Sequence, residues 1–253
     1  MLYLVGIGLK PKHLTLEALE LLRECDKVYL ETYTSQYSEG TKTEFEELIG
    51  KKTIELGRKE VEEGFDSIFE EAEKQKIALC IYGNPLGATT HLQVLLDASK
   101  KGIKTQIIPG MGIFEFTAFT GLERYKFGKT TSIVFHEEYY EPESFYDVII
   151  QNKNIGLHTL CLLDIRKDED RLMSIRNAID ILESIEEKRE QSVLNDTIMI
   201  GIAGLGGKGQ QIKADNMERL KNFNFTSFPQ SLIVCGKLNE KEVEGLRELS
   251  DLE

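Results

Sequence analysis

The chain has 253 residues, of which 41% are hydrophobic, and 43 acidic against 31 basic side chains give it a formal net charge of −12. That apolar content over this length supports a substantial core and argues against intrinsic disorder. The negative charge disfavours direct binding to nucleic acid. No stretch approaches the roughly 18 apolar residues of a membrane span, and the N-terminus "MLYLVGIGLK" lacks a signal-peptide pattern. We therefore expect a cytoplasmic protein.

Apolar runs in the first half of the chain alternate with helical patterns. The runs predict strands over 2–8, 27–31, 53–56, 77–82 and 105–109. The clearest helices are predicted over 15–25 and 90–101, and Gly102 follows the second as a stop signal. This alternation is typical of βαβ units and predicts a largely parallel sheet.

The second half of the chain repeats this alternation. Its apolar runs predict strands over 131–135, 157–165, 197–204 and 231–236, and the last helix is predicted over 240–249. The stretch 110–122 separates the halves. We therefore predict the α/β class, with one α/β domain over 1–112 and a second over 113–253. Two such domains create a cleft, which is a favoured place for a ligand.

Glycines follow three of the predicted strands in the first half. Gly6 and Gly8 end the first strand, "GNPLGATTH" (83–91) follows the fourth, and "PGMGI" (109–113) follows the fifth. Because parallel strands end at the same edge of a sheet, these loops are expected to lie together, where missing side chains admit a ligand. Ordinary turns between strands and helices are the alternative interpretation.

Several other chemistries have weak support in the sequence. Glu31 lies 23 positions after Gly8, where a dinucleotide-binding protein holds a ribose, but the third glycine of that motif is absent and Pro11 intervenes. There is no phosphate-binding GKS or GKT and no G-x-S-x-G. The four histidines lack metal-binding spacing, so no metal is predicted, and the separated cysteines are expected to be reduced core residues.

Five motifs, in this order along the chain, resemble the diphthine synthase family, a branch of the class III methyltransferases that include the tetrapyrrole methylases. They are "YLVGIGLKP", "GNPLGATTH", "TGLERYKFGKTTSIVF", "PESFYDVI" and "GLHTLCLLDI". The resemblance spans nearly the whole chain, from Met1 to the run "LIVCGKL". "PESFYD" and "GLHTLCLLDI" are similar to the eukaryotic branch in particular.

The resemblance implies two α/β domains of the tetrapyrrole methylase type, with S-adenosylmethionine bound in the cleft between them, and usually a homodimer. It implies methylation of a modified histidine of translation elongation factor 2, with S-adenosylhomocysteine as the by-product. The acceptor is the amino group of an aminocarboxypropyl side chain on that histidine. Archaeal relatives stop at the trimethylammonium, whereas eukaryotic ones also form the methyl ester. Because the motifs are closer to the eukaryotic branch, we expect four methyl transfers and the methyl ester.

By position, the resemblance implies eight contacts with the cofactor and identifies no catalytic residue. The contacts are Leu9, Asn84, Gly87, Gly112 and Ile113 in the first domain, and Leu163, Leu205 and Gln230 in the second. One residue departs from the family, which usually has Asp where this chain has Asn84. An amide oxygen still accepts hydrogen bonds, but it brings no negative charge to the cationic groups of the cofactor.

Two other functions remain open at this stage. A tetrapyrrole-type methylase would use the same cofactor site on a small porphyrinoid, and a regulatory module would bind an adenosine ligand without reaction. For the methyl-ester reaction, "RYKFGK" raises the hypothesis that Tyr125, Lys126 and Lys129 help place the acceptor carboxylate. A solvated loop is the alternative for those three residues.

Overall fold

The computed structural model describes the backbone of residues 1–253 and every side chain except that of Asp168. The chain divides into two compact units. The first comprises Met1–Glu115 and Arg166–Glu169, and the second comprises Phe116–Ile165 and Asp170–Glu253. The short segment Arg166–Glu169 thus belongs to the first unit although it lies far along the chain. Among the described residues, none of the helices has both the length and the apolar content needed to cross a bilayer.

The first unit contains a five-stranded sheet in which every neighbouring pair of strands is parallel. The strands are β1 (Leu2–Gly6), β2 (Lys27–Glu31), β3 (Ile54–Leu56), β4 (Ile77–Ile81) and β5 (Thr105–Ile108), in the order β3-β2-β4-β1-β5. The helices are α1 (Leu16–Glu24), α2 (Lys42–Ile49), α3 (Arg58–Glu62), α4 (Asp66–Lys74), α5 (Leu92–Lys100) and the short α6 (Ile113–Phe116). The predicted parallel sheet is therefore confirmed for this unit.

Both faces of the first sheet are buried along its inner strands β1, β2 and β4. Along β1, Leu2 and Leu4 pack into one apolar cluster and Tyr3 and Val5 pack into another, because successive side chains of a strand point to opposite faces. Helices cover both faces, and their ends follow the sequence signals. The hydroxyl of Thr15, for example, accepts the Ala18 N–H at 3.1 Å and caps α1. All four cysteines are free and buried, as the sequence predicts.

The second unit contains a five-stranded mixed sheet in the order β11-β10-β12-β7-β6. The strands of this sheet are β6 (Thr131–Ile133), β7 (Thr159–Leu163), β10 (Ile198–Ala203), β11 (Gln211–Asn216) and β12 (Gln230–Val234). Two short strands, β8 (Ile165–Arg166) and β9 (Arg171–Leu172), pair with each other in a separate sheet. The helices are α7 (Ser144–Asn154), α8 (Ile175–Arg189), α9 (Met217–Asn222) and α10 (Glu240–Leu249).

The expectation of a largely parallel sheet is wrong for the second unit. Only β6 and β7 pair in parallel, whereas β10 pairs antiparallel with both β11 and β12. A short glycine-containing loop joins β10 to β11, and a connection that short permits only antiparallel pairing. The sequence analysis did not predict β11, because "QIKADN" is polar and mostly half-buried.

A buried carboxylate, that of Glu242 on α10, holds several segments of the second unit together. Its Oε1 accepts a hydrogen bond from His158 Nε2 at 2.8 Å and from the Glu123 N–H at 3.1 Å, and its Oε2 contacts the Lys126 ammonium. The other ring nitrogen of His158 accepts the Gly236 N–H at 3.0 Å, so the ring proton is on Nε2. Every polar group in this cluster therefore has a partner.

Replacing Glu242 by Gln should reduce stability and flatten its dependence on acid. Burial of Glu242 opposes its ionisation, but hydrogen bonds from Lys126 and His158 outweigh burial and lower the pKa from 4.5 to about 2. Because the folded pKa lies below the unfolded one, this stabilisation is present above about pH 5 and is lost as pH falls towards 2, a change of about 3 kcal/mol. Urea unfolding at pH values between 7 and 2 measures this change in the free energy of unfolding.

The matched control for this variant is Glu240→Gln, which alters an exposed carboxylate at the start of the same helix. We expect it to keep the acid dependence of the unmodified protein. An unchanged acid dependence in Glu242→Gln would contradict the role assigned to this carboxylate.

Candidate functional site

The first two glycine loops of the first unit are hydrogen-bonded to each other. The N–H of Gly83 donates to the carbonyl of Gly8 at 2.9 Å, and the N–H of Gly8 donates to the carbonyl of Gly83 at 3.3 Å. These loops leave β1 and β4, which are parallel neighbours. The predicted meeting of loops at one sheet edge is therefore observed.

The third loop packs against the same point, backbone against backbone. A Cβ atom built on Gly110 would lie 2.3 Å from the carbonyl oxygen of Gly83 and 2.6 Å from the carbonyl carbon of Gly6. A Cβ on Gly6 would lie 2.5 Å from the Gly110 nitrogen. Since no side chain fits at such distances, Gly6 and Gly110 are required by packing within the protein.

Other glycines of the same edge are less tightly packed. Gly83 has the left-handed φ of +74°, which favours glycine, and a Cβ there would meet only the Cα of Gly112, at 3.5 Å. A Cβ on Gly87 would meet Asn84 Cβ at 3.3 Å and the Phe114 ring at 3.5 Å, which a small shift would accommodate. The surface formed by the second and third loops is therefore largely backbone, with few side chains over it.

Side chains within the loops fix their shape. The Asn84 Oδ1 accepts the Leu86 N–H at 3.1 Å, which closes a turn that the following Gly87 continues. The Gly112 N–H donates to Glu115 Oε2 at 2.7 Å, so that donor is already used by the protein. The carbonyl of Leu9 accepts the N–H of Ser38 at 2.9 Å, which anchors the first loop. Local hydrogen bonds therefore shape this edge before any ligand binds.

The five cofactor contacts expected in the first unit share this edge of the sheet. They are Leu9, Asn84, Gly87, Gly112 and Ile113. The three expected in the second unit share an edge of its own sheet, since Leu163 ends β7, Leu205 follows β10 and Gln230 begins β12. Within each unit the structure therefore brings the expected residues together.

The side chain of Gln230 has a packing role. Its Oε1 accepts the N–H of Ile175 at 2.8 Å, at the start of α8, and its Nε2 donates to the carbonyl of Ser227 at 3.0 Å. Only 4% of the residue is exposed. The Gln230 amide therefore holds α8 and the preceding loop in place.

Glu31, which raised the dinucleotide interpretation, shapes the turn that follows β2. The residue is fully buried, and its Oε1 accepts the N–H groups of Tyr33 at 2.5 Å and Thr34 at 2.7 Å. The Thr34 hydroxyl donates to its Oε2. Burial raises the pKa of this carboxyl. Because these donors already occupy both oxygens, Glu31 does not present a free carboxylate for a ribose.

His91 lies beside Glu31 at the start of α5. The ring is fully buried, and its Nε2 is 3.7 Å from Glu31 Oε2. Burial lowers the pKa of His91 to about 4, and the nearby Pro85 carbonyl opposes this weakly, so the ring is neutral at pH 7. Sequence reasoning did not find this pair, because its members are 60 positions apart.

Lys167 was also missed by sequence reasoning. It lies on the short segment that joins the first unit, and its Nζ is 5.8 Å from the centroid of the Tyr82 ring. Tyr82 directly precedes the second glycine loop, and it packs edge-on against Tyr37 with 4.8 Å between the ring centroids. Burial lowers the pKa of Lys167. Nothing in the local sequence indicates that this lysine reaches an aromatic group so far away.

The structure does not support the hypothesis that residues of "RYKFGK" help place the acceptor carboxylate. The Lys126 ammonium contacts Glu242 and donates to the carbonyl of Lys237 at 2.7 Å, so it already has two partners. Tyr125 is 96% exposed and Lys129 is exposed, which favours the solvated-loop alternative for these two residues over a role in placing the acceptor. Lys126 is therefore a structural residue.

Among the side chains that the structure describes, no cluster of His, Cys, Asp and Glu could hold a metal ion.

The chain is similar to known proteins over its full length. Residues 1–221 match the family described as tetrapyrrole (corrin/porphyrin) methylases. The chain is 38% identical to a diphthine synthase of Staphylothermus marinus, over 97% of this chain and 92% of that protein. It is 37% identical to a diphthine methyl ester synthase of Mus musculus, over 97% and 94%. A crystal structure of diphthine synthase superposes with a TM-score of 0.89, at 35% identity over 99% and 96% of the two chains.

Replacing Gly110 by Ala should destabilise the first unit by about 3 kcal/mol, because the added carbon overlaps two backbone groups that cannot move independently. Gly64→Ala is the matched control, since a Cβ there would lie 3.4 Å from the nearest atom, the Glu60 carbonyl oxygen. We expect the control to change stability by less than about 1 kcal/mol. Urea unfolding followed by circular dichroism compares them, and equal losses would contradict the packing argument.

Proposed function

The chain belongs to the tetrapyrrole (corrin/porphyrin) methylase family, and on that premise we propose that it methylates the modified histidine of translation elongation factor 2. The donor is S-adenosylmethionine and the product is diphthine methyl ester, after four methyl transfers. The observation that carries this proposal is full-length similarity to proteins named diphthine synthase and diphthine methyl ester synthase. The open loop edge of the first sheet supports it.

We propose that the first-unit edge holds the cofactor through Leu9, Asn84, Gly87, Gly112 and Ile113. Two features support this assignment. Gly83 has a left-handed φ of +74° and adds no side chain beside Gly112, and the turn at Asn84 is formed without a ligand. The contacts of Leu163, Leu205 and Gln230 with the cofactor remain a prediction of the sequence analysis.

S-adenosylmethionine supplies a methyl group that its sulfonium already activates, so the task of the protein is to align donor and acceptor. Alignment of this kind contributes roughly 7–11 kcal/mol in favourable cases. Preformed loops favour this alignment, because they do not have to be ordered when the ligand binds. The amine must lose a proton before each transfer, and the final ester requires an ionised carboxylate. We assign neither proton transfer to a residue.

We further propose that the protein is a cytoplasmic homodimer. Three apolar side chains on α5 and β5 support a second copy: Leu92 is 56% exposed, Leu96 is 49% exposed and Ile107 is 42% exposed. Leu92 and Leu96 are one helical turn apart and so share a face of α5. Exposed apolar surface of this kind is typical of contacts between subunits.

Incubation with labelled S-adenosylmethionine and elongation factor 2 carrying the unmethylated intermediate tests the main proposal. We expect label on the elongation factor, and mass spectrometry should count four added methyl groups. Three groups would indicate that the reaction stops at trimethylation. Label on a porphyrinoid alone would favour the small-molecule methylase, and binding without any transfer would favour the regulatory module.

Replacing Asn84 by Asp should strengthen binding of S-adenosylmethionine. A carboxylate oxygen can accept the same Leu86 N–H, so the turn is kept while a negative charge is added near the cationic ligand. One charge pair near 4 Å in water is worth about 1 kcal/mol, or about a fivefold fall in Kd. Isothermal titration calorimetry measures the Kd for S-adenosylmethionine. Asn84→Ala removes the hydrogen-bond acceptor of the turn and should weaken binding. A higher Kd for the Asp variant would argue against Asn84 as a cofactor contact.

A further inference from the structure

A tight turn in the second unit projects two adjacent tyrosines. The backbones of Glu137 and Tyr140 exchange two hydrogen bonds, each of 3.0 Å. The turn between them carries Tyr139, which is 92% exposed, while Tyr140 is 60% exposed. We call residues 137–141 the tyrosine turn. Both rings are thus largely exposed to solvent.

The base of the tyrosine turn is braced by side chains of the same unit. The Arg171 guanidinium is 3.0 Å from Glu137 Oε1 and 4.2 Å from the centroid of the Phe135 ring. On the other side, His136 Nε2 is 3.2 Å from the carbonyl of Pro142. These contacts hold the turn in one shape, so little conformational entropy is lost when a partner binds to it.

The charge around the tyrosines is negative. Residues 137–143 contain four glutamates and no basic residue. Arg171 pairs with Glu137, and Lys188 and Arg189 pair with Glu143, but Glu138 and Glu141 are exposed and form no ion pair with the described side chains. The Tyr139 hydroxyl donates to Glu138 Oε1 at 2.9 Å, which holds ring and carboxylate together. Two aromatic faces thus lie beside two carboxylates.

We propose that the tyrosine turn docks a lysine- or arginine-bearing segment of the protein substrate. Carboxylates and the faces of tyrosine rings both attract ammonium and guanidinium groups, so one basic segment can satisfy both features. Rigid tyrosines are also typical of the residues that dominate protein interfaces. The inference rests on the proposed function, because it takes elongation factor 2 as the bound protein.

The chain offers a matched control for this surface. Tyr125 is 96% exposed in the same unit, but its sequence neighbours are Arg124 and Lys126. It therefore tests for the loss of an exposed tyrosine without the acidic surroundings. A basic segment has no electrostatic reason to bind there.

The test is steady-state methylation of elongation factor 2 by the full chain and its variants. For the double variant Tyr139→Ala with Tyr140→Ala, we expect KM for elongation factor 2 to rise about tenfold or more, with kcat and the Kd for S-adenosylmethionine unchanged. Tyr125→Ala should leave all three values unchanged. Urea midpoints equal to that of the unmodified protein establish that the fold is intact.

A second variant isolates the charge. Glu138→Gln with Glu141→Gln should raise KM about threefold at low salt and reduce the dependence of KM on salt concentration, because screening acts on exposed charges. It leaves both tyrosines in place, so it tests the proposal even if the alanine variant folds poorly. An unchanged KM in both double variants would overturn the proposal.

Two further results would also overturn it. If the tyrosine variant converts a dimer to a monomer in sedimentation, the turn is a contact between copies of this chain. If only kcat falls, the turn acts in the reaction and not in docking. Direct binding of unmethylated elongation factor 2, measured by fluorescence anisotropy, separates this inference from the proposed function. Loss of binding in the variants supports docking even where the unmodified protein transfers no methyl group.

Discussion

The first unit depends on one steric constraint, the direct contact of backbone with backbone where Gly6, Gly83 and Gly110 meet. The loops after β1, β4 and β5 can approach this closely only because Gly6 and Gly110 carry no Cβ atom. Hydrogen bonds between Gly8 and Gly83 then join the first two loops into one surface. Because the loops support one another, the edge of the sheet has a fixed shape in the absence of any ligand.

Glycine has two physical roles within this small region. At Gly6 and Gly110 it permits close packing, and a side chain there would damage the fold. At Gly83 it permits a left-handed backbone, and a Cβ there would meet only the Gly112 Cα, at 3.5 Å. The distinction matters for function, because only open positions are candidates for direct contact with a cofactor.

Buried polar side chains fix the segments around both sheets. Gln230 holds the start of α8, Glu242 joins α10 to the His158 segment, and Glu31 shapes the turn after β2. Each would be a reasonable ligand-binding residue on chemical grounds. Their hydrogen bonds are instead satisfied inside the protein, and the same applies to the Lys126 ammonium. The surface available for partners is therefore set by groups that the fold leaves exposed, such as the tyrosine turn.

The sequence by itself determined the five strands of the first unit, their parallel pairing and the clustering of the glycine loops at one edge, because these features follow from local periodicity and strand direction. Only the tertiary structure decided that the second sheet is mainly antiparallel, which glycines are packed and which are open, and that Glu31 meets His91. It also placed Lys167 in the first unit. These features depend on pairing between distant segments, and no local pattern of residues specifies which distant atoms come into contact.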